Sequence, residues 1–392
     1  MKLIKVAQPF AGKEEARAVG EVILSGRYVS GAKVKEFEDK FAEYLHVKYA
    51  VAVNSGTAAL HIALAVLNIG AGDEIVVPPL TFFSTISAVL YQNAAPIFAD
   101  IDLESYCMDP EGLKRRITPA TKAIIPVHLY GNSADMGAIM QIAKKYNLRV
   151  IEDTAQAHGT EYKGKKAGSI GDIGCFSFFA TKHMTTGEGG MLVTNSKRWA
   201  SLARMLRSHG MSDRDHHDYL GYNYRMNEMA AAMGIIQLKK LDRFNEKRIK
   251  NSLYLIRKLN RRNIPWLKAP RPEKYIKHTF FWCPVLIHEE ILGVRTGELI
   301  KELKENGIEV RHRYREPLYK QKILQDKKGD LKNGEIYLEN AEKVAGKIIG
   351  LPNHGGLTKR DLDYVIDTLS NVKKSLHSGK PGLQHDGLRT NA

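Results

Sequence analysis

The feature that most restricts this chain is the regular alternation of short β-rich runs with helical stretches through its first two-thirds. Residues 49–53, 74–77, 96–99, 123–127, 149–152, 174–177 and 191–194 read as strands. Helical patterns over 57–67, 85–91 and 136–146 lie between several of them. The strand runs are short and mostly apolar, as expected of strands covered on both faces. This alternation implies an α/β fold, a mostly parallel central sheet flanked by helices. In such sheets ligands gather beyond the carboxyl ends of the strands, so the residues just after each strand are those to inspect.

From residue 226 the pattern changes to one long helical stretch through 259, rich in Ala, Leu, Ile and Lys. It reads as a helix leaving the first domain. Residues beyond it read as a smaller α/β unit, with strand candidates at 280–287 and 307–311. The expected division is a large domain over 1–245, a small C-terminal domain over 246–372 and a flexible tail over 373–392, which is polar and contains Gly and Pro.

Composition narrows the function. Lys and Arg number 59 against 43 Asp and Glu, a net charge of +16. Nucleic acid is one partner such a charge can serve. The basic residues are dispersed, however, as at Lys239-Lys240, Arg261-Arg262 and Arg311 to Arg315, and several sit beside acids. No zinc-finger or basic-zipper spacing occurs. A positive field that draws in a small anionic substrate is the better use of this charge, and no nucleic-acid partner is expected. Cys107, Cys175 and Cys283 are far apart and form no CxxC, so neither a disulfide framework nor a metal site is expected. No run approaches the roughly 18 apolar residues of a membrane helix, and the first residues lack an apolar signal region. A cytoplasmic protein without a membrane partner is the expectation.

Four fragments fall at strand ends. Asn54-Ser55-Gly56-Thr57 joins the strand ending at Val53 to a helix. Hydroxyls and free backbone N–H groups at a helix start attract a phosphate, although an ordinary N-cap uses the same residues. Glu152-Asp153-Thr154-Ala155-Gln156 follows another strand and aims an aspartate at the cleft; a turn or capping aspartate is the plainer reading. Ser177-Phe178-Phe179-Ala180-Thr181-Lys182 leads a lysine out of an apolar strand, ahead of the Gly187-Glu188-Gly189-Gly190 turn. Partial desolvation there makes Lys182 a better amine nucleophile. Thr81-Phe82-Phe83-Ser84-Thr85 places an aromatic beyond a fourth strand, where a core role is the alternative. Taken together they suit one ligand. A phosphate meets Ser55, Gly56, Thr57 and Ser177, a ring stacks on Phe82, Asp153 keeps a ring nitrogen protonated, and Lys182 condenses with an aldehyde. Pyridoxal 5'-phosphate needs each of these.

These residues also carry a resemblance. With Ser25-Gly26, Gly31, Gly72-Asp73-Glu74, Pro126 to Gly131, Gly221-Tyr222-Asn223-Tyr224-Arg225-Met226 and Leu351-Pro352, the chain resembles the DegT/StrS family of sugar aminotransferases from Pro9 to about Val365. The resemblance implies a fold-type I transferase in which Lys182 is the Schiff-base lysine. It implies that Asp153 partners the pyridine nitrogen, Gln156 contacts the ring hydroxyl and Phe82 stacks on the ring. It further implies that Ser55, Gly56, Thr57 and Ser177 hold the phosphate, and that Asn223 reaches the phosphate of a neighbouring subunit, giving a homodimer with shared active sites. The activity implied is ping-pong transfer of an amino group from L-glutamate, released as 2-oxoglutarate, to a keto group of a sugar carried on a nucleotide diphosphate. A sugar dehydratase or an aminoaromatic synthase of the same fold is the alternative, and a DNA-binding regulator a distant one. The related dehydratases carry a His in place of the lysine, whereas here Lys182 precedes His183. One departure concerns the His-Tyr pair that often precedes Pro-Leu in the family: Tyr314 and Arg315 hold that place. Arg311, Arg313 and Arg315 suit a nucleotide diphosphate or form a solvated basic edge.

Overall fold

In the computed structural model, which describes residues 3–326 and 336–378, the alternating runs assemble into one seven-stranded sheet. In chain order its first five strands are β1 (Tyr49–Val53), β2 (Glu74–Val77), β3 (Ala95–Phe98), β4 (Thr121–Ile124) and β5 (Arg149–Asp153). A small hairpin, β6 (Glu161–Tyr162) and β7 (Lys165–Lys166), precedes the last two, β8 (Ile173–Ser177) and β9 (Gly190–Thr194). The order across the sheet is β1-β9-β8-β5-β4-β2-β3. Only β9 runs against its neighbours; β8, β5, β4, β2 and β3 are mutually parallel.

The two-residue period of a strand sends alternate side chains to opposite faces, and here both faces are covered. Val51 and Val53 join Cys175 and Leu192 beneath the helix Gly56–Val66. Ala50 and Ala52 join Phe176 and Val193 beneath the helix Ala32–Leu45, through Val34, Phe37 and Phe41. The three cysteines are buried and free. This double cover explains the uninterrupted apolar runs. It also leaves the strand ends as the place where polar side chains emerge.

The long helix spans Glu228–Arg262, with the Asn227 side chain accepting from the Ala230 amide at its start. Its first half packs Ala231, Ile235 and Leu241 against the sheet. Its second half packs Leu255, Ile256 and Leu259 into a separate core with Cys283, Val285, Leu299 and Leu369. That core includes a three-stranded antiparallel sheet of β10 (Leu267–Lys268), β12 (Cys283–Ile287) and β13 (Ile348–Leu351). A two-residue strand, β11 (Ile276–Lys277), pairs instead with β6. Ile4 belongs to the same core and bridges Ile308.

Two strand expectations change. The run from 280 becomes extended only at Cys283, because Phe280 takes a left-handed φ of 49°. Its amide goes to His278 Nδ1, and that of Phe281 to the Tyr130 carbonyl. The run 307–311 makes isolated bridges from Ile308 and Arg311 rather than a ladder. It starts from Gly307 at φ 72° and turns away at Tyr314, φ 56°. The final helix, Lys359–Ser378, runs into the segment expected as a tail; residues 379–392 of that segment lie outside the described residues. No helix among the described residues is long and apolar enough to cross a membrane, and none of them form a metal-holding cluster.

Candidate active site

β1 ends at Val53, and Ser55 caps the helix that follows by accepting the Ala58 amide at 3.1 Å. The amides of Gly56 and Thr57 stand ahead of the intrahelical ladder, at the positive end of the helix dipole. β8 ends beside them at Ser177. A Cβ on Gly56 would lie 2.7 Å from Ser177 Cβ, so only glycine lets strand end and helix start approach this closely. Gly190 does the same from β9, where a Cβ would lie 2.2 Å from the Ser55 carbonyl oxygen. Thr57 Oγ1 is 2.7 Å from Ser84 Oγ, which draws in the loop after β2. The four residues read as a phosphate cradle are thus neighbours.

Asp153, the last residue of β5, is buried. Its Oδ2 accepts from Thr85 Oγ1 at 2.8 Å and its Oδ1 from the Ala155 amide at 3.1 Å. Burial pushes its carboxyl above the ordinary aspartate range, while these bonds and the charge of Lys182 pull the other way. Phe82, one turn before Thr85, is 59% exposed. A large ring left this bare has a face free to stack on a ligand.

Beneath Asp153 lies a buried network. Both Glu152 oxygens are taken: Oε1 accepts the Ile170 and Gly171 amides, and Oε2 accepts the Gly168 amide and His128 Nε2. The Ala134 amide donates to His128 Nδ1, so the ring proton sits on Nε2 and points at Glu152. The His128 amide in turn bonds the Asp153 carbonyl. The end of β5 is held from three sides.

Lys182 follows β8 and is half-buried. Its amine sits 4.9 Å from the centre of the Phe281 ring. Burial lowers its pKa to about 8, with Asp153 opposing and Arg313 adding to the drop. Gln156 lies across the site. Its Oε1 accepts the Tyr130 amide at 3.2 Å, and its Nε2 donates to the Tyr314 hydroxyl at 2.8 Å. Asn223 is exposed, and its carbonyl accepts from Asn54 Nδ2 at 3.3 Å, next to the Ser55 cap of its own chain. Arg313 and Arg315 are exposed. Arg311 bridges Gly350 through its backbone and lies 3.9 Å from Glu309.

Sequence reasoning missed Thr85 as a site residue, although it stands one helical turn from Phe82. It also missed the supporting roles of Glu152 and His128, which give no spacing signal because Glu152 lies in β5 and His128 in the loop after β4. Tyr314, to which the sequence assigned no role, accepts a hydrogen bond from Gln156.

A hydroxyl-lined helix start kept open by Gly56, a bare ring at Phe82, a buried carboxylate and an amine of reduced basicity fit pyridoxal phosphate. Comparisons with known proteins agree. The model of the DegT/DnrJ/EryC1/StrS aminotransferase family matches residues 9–370. The GDP-perosamine synthase of Caulobacter vibrioides is 40% identical over 87% of this chain and 90% of its own. A UDP-N-acetyl-3-dehydro-alpha-D-glucosamine 3-aminotransferase of Acidithiobacillus ferrooxidans is 35% identical over 92% and 93%. Spr1654 of Streptococcus pneumoniae, solved in its PLP form, is 26% identical and superposes with a TM-score of 0.84 over 95% of this chain and 99% of that one. The fold is therefore fold-type I, and the chain belongs to the DegT/DnrJ/EryC1/StrS aminotransferase family of pyridoxal-phosphate enzymes.

Proposed function

We propose that this chain transfers an amino group from L-glutamate to a keto group of a nucleotide-diphosphate-linked deoxysugar. The observation that carries the proposal is the pairing of a low-basicity amine at Lys182 with a buried carboxylate at Asp153 at the mouth of a phosphate cradle. Pyridoxal phosphate, when bound, supplies the aldehyde that captures amino groups and the ring that takes up the electron pair of a broken C–H bond. Ser55, Gly56, Thr57 and Ser177 would hold its phosphate through hydroxyls and amides. Asp153, oriented by Thr85, would hold the ring nitrogen protonated. Phe82 would stack on the ring and Gln156 would contact its hydroxyl. Lys182 would hold the aldehyde, and its amine, once free, would be placed to take a proton from one carbon and deliver it to another. L-glutamate would give up its amino group and leave as 2-oxoglutarate with its keto oxygen supplied by water, and the sugar carbon that takes up this amino group would release its keto oxygen as water.

Asn223 of a second copy completes the phosphate contacts in a homodimer, a reading supported by its exposure beside the helix start. The division into a large domain over 1–245 and a small one over 246–372 is supported by the two cores that the long helix joins. Arg311, Arg313 and Arg315 supply positive charge for a nucleotide diphosphate. A cytoplasmic location is part of this reading, since it gives the enzyme access to nucleotide-linked sugars and L-glutamate. The test is a panel of nucleotide-linked keto-sugars incubated with enzyme and L-glutamate, read by product mass. One amino-sugar product with matching 2-oxoglutarate supports the reading; loss of water without 2-oxoglutarate contradicts it.

A further inference from the structure

The loop that carries Lys182 borders a cavity between the N-terminal segment and the long helix Glu228–Arg262. Its wall includes Gln8, Lys182, His183, Arg243, Lys247 and Arg248. Every charged residue on that wall is cationic, and none of the lining residues is a carboxylate. Arg243 and Lys247 are exposed and stand one helical turn apart.

Arg248 is the unusual member. It is only 6% exposed, yet its Nη1 donates to two neutral acceptors, the carbonyls of Phe281 at 3.2 Å and Asn353 at 2.7 Å. Among the described residues no carboxylate compensates it, and burial alone lowers its pKa to about 10. A buried guanidinium without a counter-ion is unfavourable unless an anion completes it. The link to the reaction centre is a single residue. Phe281 gives its carbonyl to Arg248 and its ring to the Lys182 amine.

We propose that this cavity is a carboxylate subsite in which Arg248, with Lys247 and Arg243 at the mouth, takes one carboxylate of the amino donor. The proposal rests on the reading of the chain as a transaminase with a dicarboxylic donor. A carboxylate is the favoured anion for a geometric reason. Nη1 is already held by two carbonyls, which leaves Nε and Nη2, one planar edge that matches the two oxygens of a carboxylate. The exposed lysine and arginine contribute long-range attraction rather than a fixed geometry.

The test measures glutarate binding to the holoenzyme, because glutarate keeps both carboxylates but has no amino group to react. Arg248→Gln should weaken glutarate at least about tenfold, the loss of one charge-assisted bidentate contact. Arg248→Lys should recover part of that loss, and glutaramide, which has no charge, should bind no differently to the variants. Equal glutarate affinity in wild type and Arg248→Gln overturns the subsite. If Arg248→Gln does not fold, Lys247→Gln and Arg243→Gln, both at exposed positions, replace it. Unchanged glutarate binding in their double variant overturns the proposal as well. Tighter Arg248-dependent binding of inorganic pyrophosphate than of glutarate also overturns it, in favour of a diphosphate subsite. A wild type that binds glutarate but does not convert its cofactor with L-glutamate overturns the functional reading and leaves the subsite standing.

Discussion

Thr85 Oγ1 donates to Asp153 Oδ2 across 2.8 Å, so the helix after β2 fixes the carboxylate at the end of β5. Thr81 Oγ1 stands 3.0 Å from Thr85 Oγ1 and continues the chain of hydroxyls. Thr85→Val removes a hydrogen bond to a charged group, an interaction of about 1.5–3 kcal/mol. Cofactor affinity should fall by about ten- to a hundredfold, and Thr85→Ser should restore most of it. Spectrophotometric titration of the apo chain with pyridoxal phosphate checks both.

Asp153→Asn should act in opposite directions on the empty and the loaded protein. Burial raises the Asp153 carboxyl above its ordinary value. A group with a raised folded-state pKa contributes stability that is fully present below its unfolded pKa and lost as pH rises through the folded one. The empty wild type should therefore lose ground to Asp153→Asn as pH climbs from about 4 through the raised folded-state value. With cofactor bound, the ring nitrogen pairs with the carboxylate, and wild type should be the more stable. Melting curves of both proteins, empty and loaded, decide it; parallel pH profiles for the empty pair would contradict the burial argument.

Gly56→Ala tests the cradle. The added Cβ would meet Ser177 Cβ at 2.7 Å, an overpacking that typically costs about 1–3 kcal/mol. Melting temperature and cofactor affinity should fall together. Gly20→Ala is the control. It lies inside the helix Lys13–Ser25 with nothing within 4 Å of a Cβ, and it should gain about 0.5–1 kcal/mol.

Much of this site was legible because double-wound sheets put polar residues in one place. Once residues 49–53, 149–152 and 174–177 read as strands, Ser55, Asp153 and Lys182 had to emerge at one edge. Asp153 itself proved to be the last residue of its strand. What was hidden depended on side-chain direction. Thr85 stands among other hydroxyl residues, Thr81, Ser84 and Ser87, so nothing singled out its hydroxyl as the one that serves Asp153. Arg248 reads as one more cation on a basic helix until its burial is known. The runs at 280 and 307 looked extended because local preference favours strand there, and left-handed turns at Phe280, Gly307 and Tyr314 override that preference.

The reactivity of Lys182 should follow its depressed pKa of about 8. Only the neutral amine attacks an aldehyde, so reconstitution of the empty chain with pyridoxal phosphate should speed up about tenfold per pH unit below that value and level off above it. Stopped-flow rates from pH 6 to 9.5 follow this directly; a rise that continues to about pH 10 would place the amine in water rather than in a desolvated site.

The central claim is that the Lys182 amine carries the cofactor, and chemical trapping tests it most directly. The loaded protein is reduced with borohydride, digested and mapped by mass. The account predicts one pyridoxyl adduct, on the peptide that contains Lys182, and none after Lys182→Ala. An adduct on another lysine, or an unmodified Lys182 peptide in fully loaded protein, would contradict it.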